Sequence, residues 1–253
     1  MTEQILTGGF INHVARVNGH VVKNYMNDDI VSQKGDIRMR REAVSLLHFG
    51  NGKNIAPTLI SSGNGQLVQE FIEGTVIENE HTEFDIYNAG KLLANVHRSV
   101  KRPFEYTRSY YEKQYSKSYE KAYPLLSTLS LSPEVSINWD SASEMGTTRV
   151  HRDFWMGNVI RTPDTYKAID WEFSGIGSPY EDFSIADLWI FREYGGKDAF
   201  FTGYGKTPDS DTTKEFLKLK LIEFLGRTSK EDYELEDQDG FYHNKVEILK
   251  TLI

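Results

Sequence analysis

One segment near the middle of the chain constrains the fold more than any other. His151-Arg152-Asp153 is followed by Asn158, five positions after the aspartate, and apolar residues flank the whole segment. Asp170 comes twelve residues after Asn158, at the end of a β-prone stretch. Thr162-Pro163-Asp164 marks a turn between the two. The chain is therefore expected to return through a hairpin that brings Asp170 close to Asn158.

These side-chain types suit phosphoryl transfer. A carboxylate at Asp153 can orient an acceptor hydroxyl for in-line attack on a phosphate. Magnesium prefers oxygen ligands, and Asn158 and Asp170 offer an amide oxygen and a carboxylate. A His-x-Asp triplet alone is a weak signal, but the complete spaced set predicts Asp153 as the catalytic base. It also predicts Asn158 and Asp170 as the magnesium ligands.

Two Asn-Gly pairs predict a small antiparallel sheet in the N-terminal part. These pairs are Asn18-Gly19 and Asn64-Gly65. Both positions of a two-residue hairpin turn need positive φ, which asparagine and glycine tolerate well. Each pair separates two β-prone runs, residues 13–17 and 20–25 for the first and residues 57–61 and 66–72 for the second.

A helix is predicted between these hairpins, over residues 36–49. Asp36 is the expected N-cap, and the glycines at positions 50 and 52 are expected to end the helix. Glu42 lies inside this helix, nineteen positions after Lys23, which lies near the end of the preceding strand. A Lys–Glu ion pair of this kind positions a lysine that binds nucleotide phosphates. The alternative interpretation is two ordinary surface charges.

A Gly8-Gly9 pair precedes the first hairpin. It can form a tight turn whose backbone N–H groups face a phosphate, which predicts a second contact with a nucleotide. It can equally form a plain hairpin turn, since the local pattern is neither G-x-G-x-x-G nor a Walker A loop.

After Gly74 the sequence becomes mainly helical. The prediction is therefore an α+β fold with a small antiparallel-sheet lobe, residues 1–73, and a larger helical lobe, residues 74–253. A cleft between lobes is a favoured place for a ligand. Helices are predicted over residues 84–98, 110–126, 182–194 and 212–225 and from residue 240 onward. Strands are predicted over residues 148–150 and 166–169.

Composition excludes several classes of protein. The formal net charge of −8 argues against nonspecific binding to nucleic acid, which depends on basic residues. The chain contains no cysteine, which rules out disulfides and thiolate metal sites. No apolar run is long enough for a transmembrane helix, and the N-terminus lacks the pattern of a signal peptide. The expectation is a cytoplasmic protein that binds neither nucleic acid nor a membrane; the sequence does not determine its oligomeric state.

At these positions the chain resembles the aminoglycoside phosphotransferase and choline kinase-like superfamily. The resemblance runs through most of the chain. The matching positions are Thr7-Gly8-Gly9-Phe10-Ile11-Asn12, Val21-Val22-Lys23, Glu42, residues 68–74, residues 92–97, His151-Arg152-Asp153 with Asn158, Ile169-Asp170-Trp171-Glu172 and Asp182. The resemblance implies a bilobal protein-kinase-like fold that uses Mg²⁺ and ATP, with GTP as an alternative donor.

The resemblance also implies roles for further residues. Lys23 would contact the phosphates, and backbone groups around Glu70, Phe71 and Ile72 would contact the purine. Asp182 would brace the catalytic loop from the following helix, although a simple helix N-cap is an equally good interpretation of this residue.

The sequence departs from protein kinases around Asp170. Asp170-Trp171-Glu172 replaces Asp-Phe-Gly, no Ala-Pro-Glu follows, and little room is left for an activation segment. These departures favour a small-molecule acceptor over a protein. They leave a protein kinase, or a binding protein without turnover, as the less favoured classes.

An amine-bearing acceptor, such as an aminoglycoside-type antibiotic, would suit the acidic stretch at residues 231–239, which is either part of a substrate lid or a solvated loop. Glu172 could also meet such a cation. Choline or ethanolamine is the alternative, because the Gly-Gly-x-x-Asn start looks like that branch. Sugars and amino acids with free hydroxyls are further alternatives.

Overall fold

The structure is a computed structural model of the 253-residue chain. It describes residues 3–6, 12–26, 34–78, 80–99, 105–228 and 240–253. The predictions for Gly8, Gly9 and the acidic stretch at residues 231–239 lie outside the described residues.

The N-terminal part forms a five-stranded antiparallel sheet, in the order β1-β2-β3-β5-β4. The strands are β1 (Glu3–Ile5), β2 (His13–Val17), β3 (His20–Asn24), β4 (Leu59–Gly63) and β5 (Gln66–Glu70). Both predicted hairpins are present, since Asn18-Gly19 joins β2 to β3 and Asn64-Gly65 joins β4 to β5. All four turn residues have positive φ, as such turns require.

Helix α1 (Gly35–Lys53) lies between the hairpins but differs from its prediction at both ends. Lys34 takes the N-cap position, so Asp36 lies in the first turn instead. The helix continues through Gly50 to Lys53, and Asn54, whose φ is 55°, is its C-cap. A Cβ at position 50 would lie 1.9 Å from the Pro57 carbonyl oxygen. This glycine therefore permits close packing of the chain that leads into β4, and does not end the helix.

The remainder of the described chain is mainly helical. Its helices are α2 (Glu83–His97), α3 (Glu105–Thr128), α4 (Trp139–Met145), α5 (Tyr180–Ala186), α6 (Arg192–Tyr194), α7 (Lys197–Tyr204), α8 (Ser210–Leu225) and α9 (Phe241–Lys250). The helix predicted over residues 182–194 is divided, because a π-helical turn at Asp187–Phe191 separates α5 from α6. The short helices α4 and α7 were not predicted. Among the described helices, none is long and apolar enough to cross a membrane.

Short strands in this part position the site. They are β6 (Thr75–Val76), β7 (Thr148–Val150), β8 (Val159–Arg161), β9 (Tyr166–Ala168) and β10 (Gly175–Gly177). The predicted hairpin is formed by β8 and β9, and it continues into a backbone bond of 3.0 Å from Ile169 N to the Asn158 carbonyl oxygen. Asp170 is therefore held next to Asn158. The fold class is confirmed: an α+β protein with an antiparallel sheet first and a helical part after it. The division at residue 73 stays a prediction.

Candidate active site

The predicted catalytic loop, residues 151–158, follows β7 and contains Asp153 and Asn158. Asn158 lies in a short 3₁₀ turn, Met156–Asn158, and is almost fully buried. Its Nδ2 donates hydrogen bonds to the Asp153 carbonyl oxygen at 2.8 Å and to Asp153 Oδ2 at 2.9 Å. Because both bonds use the amide nitrogen, the amide oxygen of Asn158 is the atom left for a cation. The structure thus brings the predicted base and a predicted metal ligand together.

Lys23 connects the sheet to this loop. Its Nζ donates to Glu42 Oε2 at 2.9 Å and to Asp170 Oδ1 at 2.5 Å. Lys23 is 5% exposed and Glu42 is 1% exposed, so this is a buried ion pair and not a pair of surface charges. Asp170 is about one-third exposed and has a φ of 61°, a left-handed conformation that is costly for a residue other than glycine. Strained backbone of this kind is concentrated at functional sites.

The charges around Lys23 keep it protonated. Burial lowers the pKa of Lys23, but Asp170 and Glu42 raise it more, and the resulting pKa lies well above the usual range. The Tyr25 hydroxyl donates to Glu42 Oε2, and burial together with Glu42 raises the pKa of Tyr25. Tyr25 therefore stays a neutral donor, and Lys23 is a permanent cation at the end of β3.

Glu172 does not face the substrate side, and the expectation that it meets a substrate cation is wrong. It is 3% exposed, and its Oε2 accepts from Asn12 Nδ2 at 2.7 Å and from Arg38 Nη1 at 3.0 Å. Arg38 itself is fully buried. No sequence prediction includes Arg38, although it lies four residues before Glu42 and so on the same face of α1.

Replacing Arg38 by methionine is expected to destabilise the protein by about 3–5 kcal/mol, because it leaves the buried carboxylate of Glu172 without its guanidinium partner. The free energy of unfolding from urea titration measures this loss. Arg40→Met on the same helix is the matched control, since Arg40 is 76% exposed and should change the stability by less than about 0.5 kcal/mol. Equal losses in the two variants would contradict the proposed importance of the Arg38–Glu172 pair.

Negative charge is concentrated around the catalytic loop. Burial, and then the charge of Asp170, raise the pKa of Asp153 to about 7. Carboxylate oxygens of Glu42, Asp170 and Glu172 all lie within 4.8 Å of one another. Carboxylate and amide oxygens are the donors that Mg²⁺ selects, so Asp170 and Asn158 fit that ion. A divalent cation there would also relieve the repulsion between the carboxylates.

Asp182 holds the backbone of the catalytic loop. It is fully buried in the first turn of α5, and its carboxylate accepts from His151 N at 2.8 Å and from Arg152 N at 2.6 Å. The N-cap position of α5 is taken by Pro179, so Asp182 is not the cap of this helix. Burial raises the pKa of the Asp182 carboxyl. The hydrogen bonds from His97 and from the His151 backbone N–H help to lower it more, so the pKa lies below its usual range.

A chain of hydrogen bonds extends this brace to two further helices. His97 at the end of α2 places Nε2 2.9 Å from Asp182 Oδ2 and Nδ1 2.9 Å from the Tyr204 hydroxyl on α7. His97 lies in the helix predicted over residues 84–98, and no role is predicted for it from the sequence. No local signal identifies Tyr204, because its partner is more than a hundred residues away in the chain.

Replacing His97 by leucine is expected to destabilise the protein by about 1–3 kcal/mol, because Asp182 and Tyr204 would each lose a buried hydrogen-bond partner. Turnover should fall as well, since the catalytic loop loses part of its support. Thermal unfolding and steady-state assays on one preparation measure both effects. His20→Leu, at an exposed position on β3, is the control, and a similar result in both variants would argue against the brace.

The predicted purine-binding residues follow β5. Glu70 N donates to the Thr58 carbonyl oxygen at 2.9 Å, so this peptide group is already used by the protein. Ile72 is buried, and Phe71 packs under Arg16, whose Cζ lies 3.7 Å from the ring centroid. Within the described part of the chain, the peptide groups of Phe71 and Ile72 form no backbone hydrogen bond. These two residues therefore present groups that could pair with a nucleobase, whereas Glu70 N does not.

A pocket opens beside Asp153, between the catalytic loop and helices α1, α3, α5 and α8. Aromatic rings form part of its wall, among them Tyr110 and Phe216. Charged side chains from α8 and the turn after it, Lys220 and Arg227, line another part. The pocket could hold a small molecule against the Asp153 carboxylate.

A comparison with family models assigns the chain to a class. The model of the phosphotransferase enzyme family, APH, matches residues 39–216, well over half of the chain. The chain therefore belongs to the phosphotransferase enzyme family, a family of small-molecule phosphotransferases. The predicted superfamily is confirmed, as is the predicted enzyme class, an ATP-dependent phosphotransferase with an alcohol group as acceptor.

Solved structures support the fold. The chain is similar to the choline kinase LicA from Streptococcus pneumoniae, with 17% identity, a TM-score of 0.67 and coverage of 100% of this chain and 93% of that one. It is also similar to spectinomycin phosphotransferase APH(9)-Ia in complex with ADP and spectinomycin, with 15% identity, a TM-score of 0.56 and coverage of 100% and 93%. The chain is similar as well to a choline/ethanolamine kinase family protein from Mesorhizobium loti, with 15% identity, a TM-score of 0.64 and coverage of 100% of this chain and 88% of that one. A search of curated proteins returns no significant match.

Proposed function

We propose that this phosphotransferase moves the γ-phosphate of ATP, bound with Mg²⁺, to a hydroxyl group of a small molecule in the pocket beside Asp153. One observation carries the proposal. Lys23 is bonded to Asp170, Asp153 is bonded to Asn158, and the backbone hydrogen bond from Ile169 N to the Asn158 carbonyl oxygen holds these two pairs next to each other. These are the groups that phosphoryl transfer needs for binding the phosphates, holding the metal and orienting the hydroxyl.

The nucleotide is bound mainly by the N-terminal part. Lys23, held by Glu42, contacts the phosphates as a permanent cation. The unpaired peptide groups of Phe71 and Ile72 bind the purine edge. Such backbone contacts suit ATP, and GTP is the alternative donor to be tested beside it.

Asn158 Oδ1 and the Asp170 carboxylate would hold the magnesium ion. Bound there, Mg²⁺ supplies charge neutralisation for the phosphates. Lys23 then keeps Asp170 oriented through its ammonium group, and the Asn158 amide nitrogen keeps the Asp153 carboxylate turned towards the acceptor.

Asp153 acts on the acceptor. Its carboxylate accepts the hydrogen bond of the acceptor hydroxyl and takes its proton as the new O–P bond forms. The bond between the γ-phosphorus and the β–γ bridging oxygen breaks, and ADP leaves with the electron pair. Asp182 holds the loop backbone in place through this step by its bonds to His151 N and Arg152 N.

The sequence favours an amine-bearing acceptor such as an aminoglycoside-type antibiotic, which would make the protein a resistance enzyme of the cytoplasm. The acidic residues at 231–239 support that choice. Choline or ethanolamine is the second candidate, supported by the Gly-Gly-x-x-Asn start. The short connection between Glu172 and α5 leaves no space for a long activation segment, which disfavours a protein acceptor.

A transfer assay tests the proposal. The purified protein is incubated with Mg²⁺ and either ATP or GTP, together with aminoglycosides, choline, ethanolamine, sugars or casein. ADP release and the mass of the product report the transfer. We expect Mg²⁺-dependent phosphorylation of one class of small hydroxyl compound. Failure to bind MgATP in calorimetry would contradict the proposal, and phosphorylation of casein alone would replace it by a protein kinase.

A further inference from the structure

The carboxylates of the pocket beside Asp153 are already used by the protein. Glu181 Oε2 accepts from Arg152 Nε at 2.7 Å, and Glu181 Oε1 accepts from the Tyr111 hydroxyl at 2.5 Å. Glu223 Oε2 accepts from Lys220 Nζ at 3.0 Å, and its Oε1 accepts from Arg227 Nη2 at 2.5 Å. Among the described lining residues, Asp153 thus has the only carboxylate that is not engaged by a basic side chain at salt-bridge distance, and it is the proposed base.

The basic side chains of the same pocket keep donors to spare. Among the described residues, Lys220 and Arg227 each donate one side-chain hydrogen bond to Glu223, and an ammonium or guanidinium group carries several more N–H groups. Both side chains are mostly buried, at 12% and 21% exposure, and so they are held in place beside the pocket. A substrate that enters the pocket therefore meets more unused hydrogen-bond donors than unused hydrogen-bond acceptors.

The charges in this group do not cancel. Burial raises the pKa of Glu223, but Lys220 and Arg227 lower it more, to about 2. Glu223 is therefore ionised near neutral pH, and within the described part of the chain its one negative charge is shared between the two positive charges of Lys220 and Arg227. An ammonium group brought to this wall would lie beside like charges, whereas a carboxylate or phosphate would gain charge-assisted hydrogen bonds.

We infer that the acceptor carries an anionic group, a carboxylate or a phosphate, besides the hydroxyl that is phosphorylated, and that Lys220 and Arg227 bind it. This anionic acceptor replaces the amine-bearing one that the sequence alone favours. The inference rests on the proposed function, because the pocket is an acceptor site only if Asp153 is the base. Tyr110 and Phe216 cover the carbon skeleton, and the anionic end reaches α8. The result is a pocket for a small hydroxy acid or a phosphorylated alcohol.

A binding experiment tests the anionic site without turnover. Thermal unfolding is followed in the presence of saturating ADP and Mg²⁺, which fill the nucleotide site, with added succinate, inorganic phosphate or butane-1,4-diamine. Succinate or phosphate should raise the melting temperature of the wild type and lose most of this effect in Lys220→Gln and Arg227→Gln. Lys214→Gln, an exposed lysine on the same helix, should respond like the wild type. Stabilisation by the diamine alone, or by none of the three, overturns the inference.

A second experiment compares acceptors that share one three-carbon skeleton: glycerol, glycerate, glycerol phosphate and 3-aminopropane-1,2-diol. An anionic member should have the highest kcat/KM, and glycerate against glycerol phosphate distinguishes a carboxylate site from a phosphate site. Lys220→Gln should raise KM for that acceptor about tenfold and change KM for glycerol, which carries no anionic group, much less. Glu223→Gln should lower the same KM, since it removes the charge that offsets the two cations.

The two proposals fail in different ways. If the amine is the preferred acceptor, and its KM falls in Lys220→Gln and rises in Glu223→Gln, the inference of an anionic acceptor is overturned. The proposed kinase activity is then unaffected. A wild-type protein that does not bind MgATP refutes the proposed function, and the succinate, phosphate and diamine experiment then still decides the character of the pocket.

Discussion

The Asp153→Asn protein is expected to lose turnover by about 100- to 10,000-fold, the range that general-base catalysis supplies, while it still binds nucleotide. Asparagine has nearly the shape of aspartate, and its side-chain oxygen can still accept the hydrogen bond that Asn158 Nδ2 now gives to Oδ2. It cannot take a proton from the acceptor. The loss should therefore appear in kcat, measured at saturating acceptor, and the dissociation constant of MgADP from calorimetry should change little.

Asp164→Asn provides the control for this result. It is the same chemical change at an exposed position in the turn between β8 and β9, near the catalytic loop in sequence and away from the acceptor. It should leave kcat unchanged. If Asp153→Asn kept near-normal turnover, the assignment of Asp153 as the base would be wrong.

The Asp170→Asn protein is expected to lose about a thousandfold in kcat/KM, because a metal ion supplies several kcal/mol of transition-state stabilisation and each 1.4 kcal/mol is about tenfold. The carboxylate is both the proposed charged magnesium ligand and a partner of Lys23 at 2.5 Å. Its removal should weaken the response to Mg²⁺ as well as the rate. Titration of Mg²⁺ at fixed ATP, together with ADP binding with and without Mg²⁺, measures this response.

Glu42→Gln separates the metal from the ion pair. Glu42 is a second carboxylate partner of Lys23, at 2.9 Å, with Glu172 farther away at 3.5 Å, and the oxygens of Glu42 lie close to those of Asp170. If Asp170 and Asn158 hold the metal, Glu42→Gln should raise KM for ATP and leave the Mg²⁺ requirement unchanged. If the Mg²⁺ requirement shifted in Glu42→Gln and stayed constant in Asp170→Asn, the ion would be held by Glu42 and not by Asp170, and the proposed ligand set would be wrong.

Several features could be predicted because their causes are local. Asn18-Gly19 and Asn64-Gly65 each satisfy a turn that needs two positive φ angles, and no distant residue is needed to decide that. The closeness of Asn158 and Asp170 also has a local cause, because the hairpin of β8 and β9 between them brings the chain back to where the hairpin begins. Asp153 lies only five residues before Asn158. The pairing of Lys23 with Glu42 was predicted from a strand followed by a helix.

Other features depend on packing and could not be predicted. The role of Gly50 follows from the close approach of Pro57. In the sequence this glycine predicts the end of a helix, whereas in the structure it lies inside α1 and permits close packing. Arg38 and Glu172 are more than a hundred residues apart, and either one alone looks like an exposed charge. The same holds for His97 and Tyr204, whose shared role appears only where α2, α5 and α7 meet.

The sequence by itself determined which residues are proposed for the chemistry of this protein: covalent spacing and turn geometry, which act over a few residues, predict the base, the metal ligands and the phosphate-binding lysine. The character of the acceptor pocket was decided only by the tertiary structure. A net negative chain with an acidic stretch suggests a cationic substrate. In the folded protein, Glu181 instead forms an ion pair with Arg152, and Glu223 forms ion pairs with Lys220 and Arg227. Which charges neutralise one another depends on how distant helices pack, because ion pairing is a property of distance in space and not of composition.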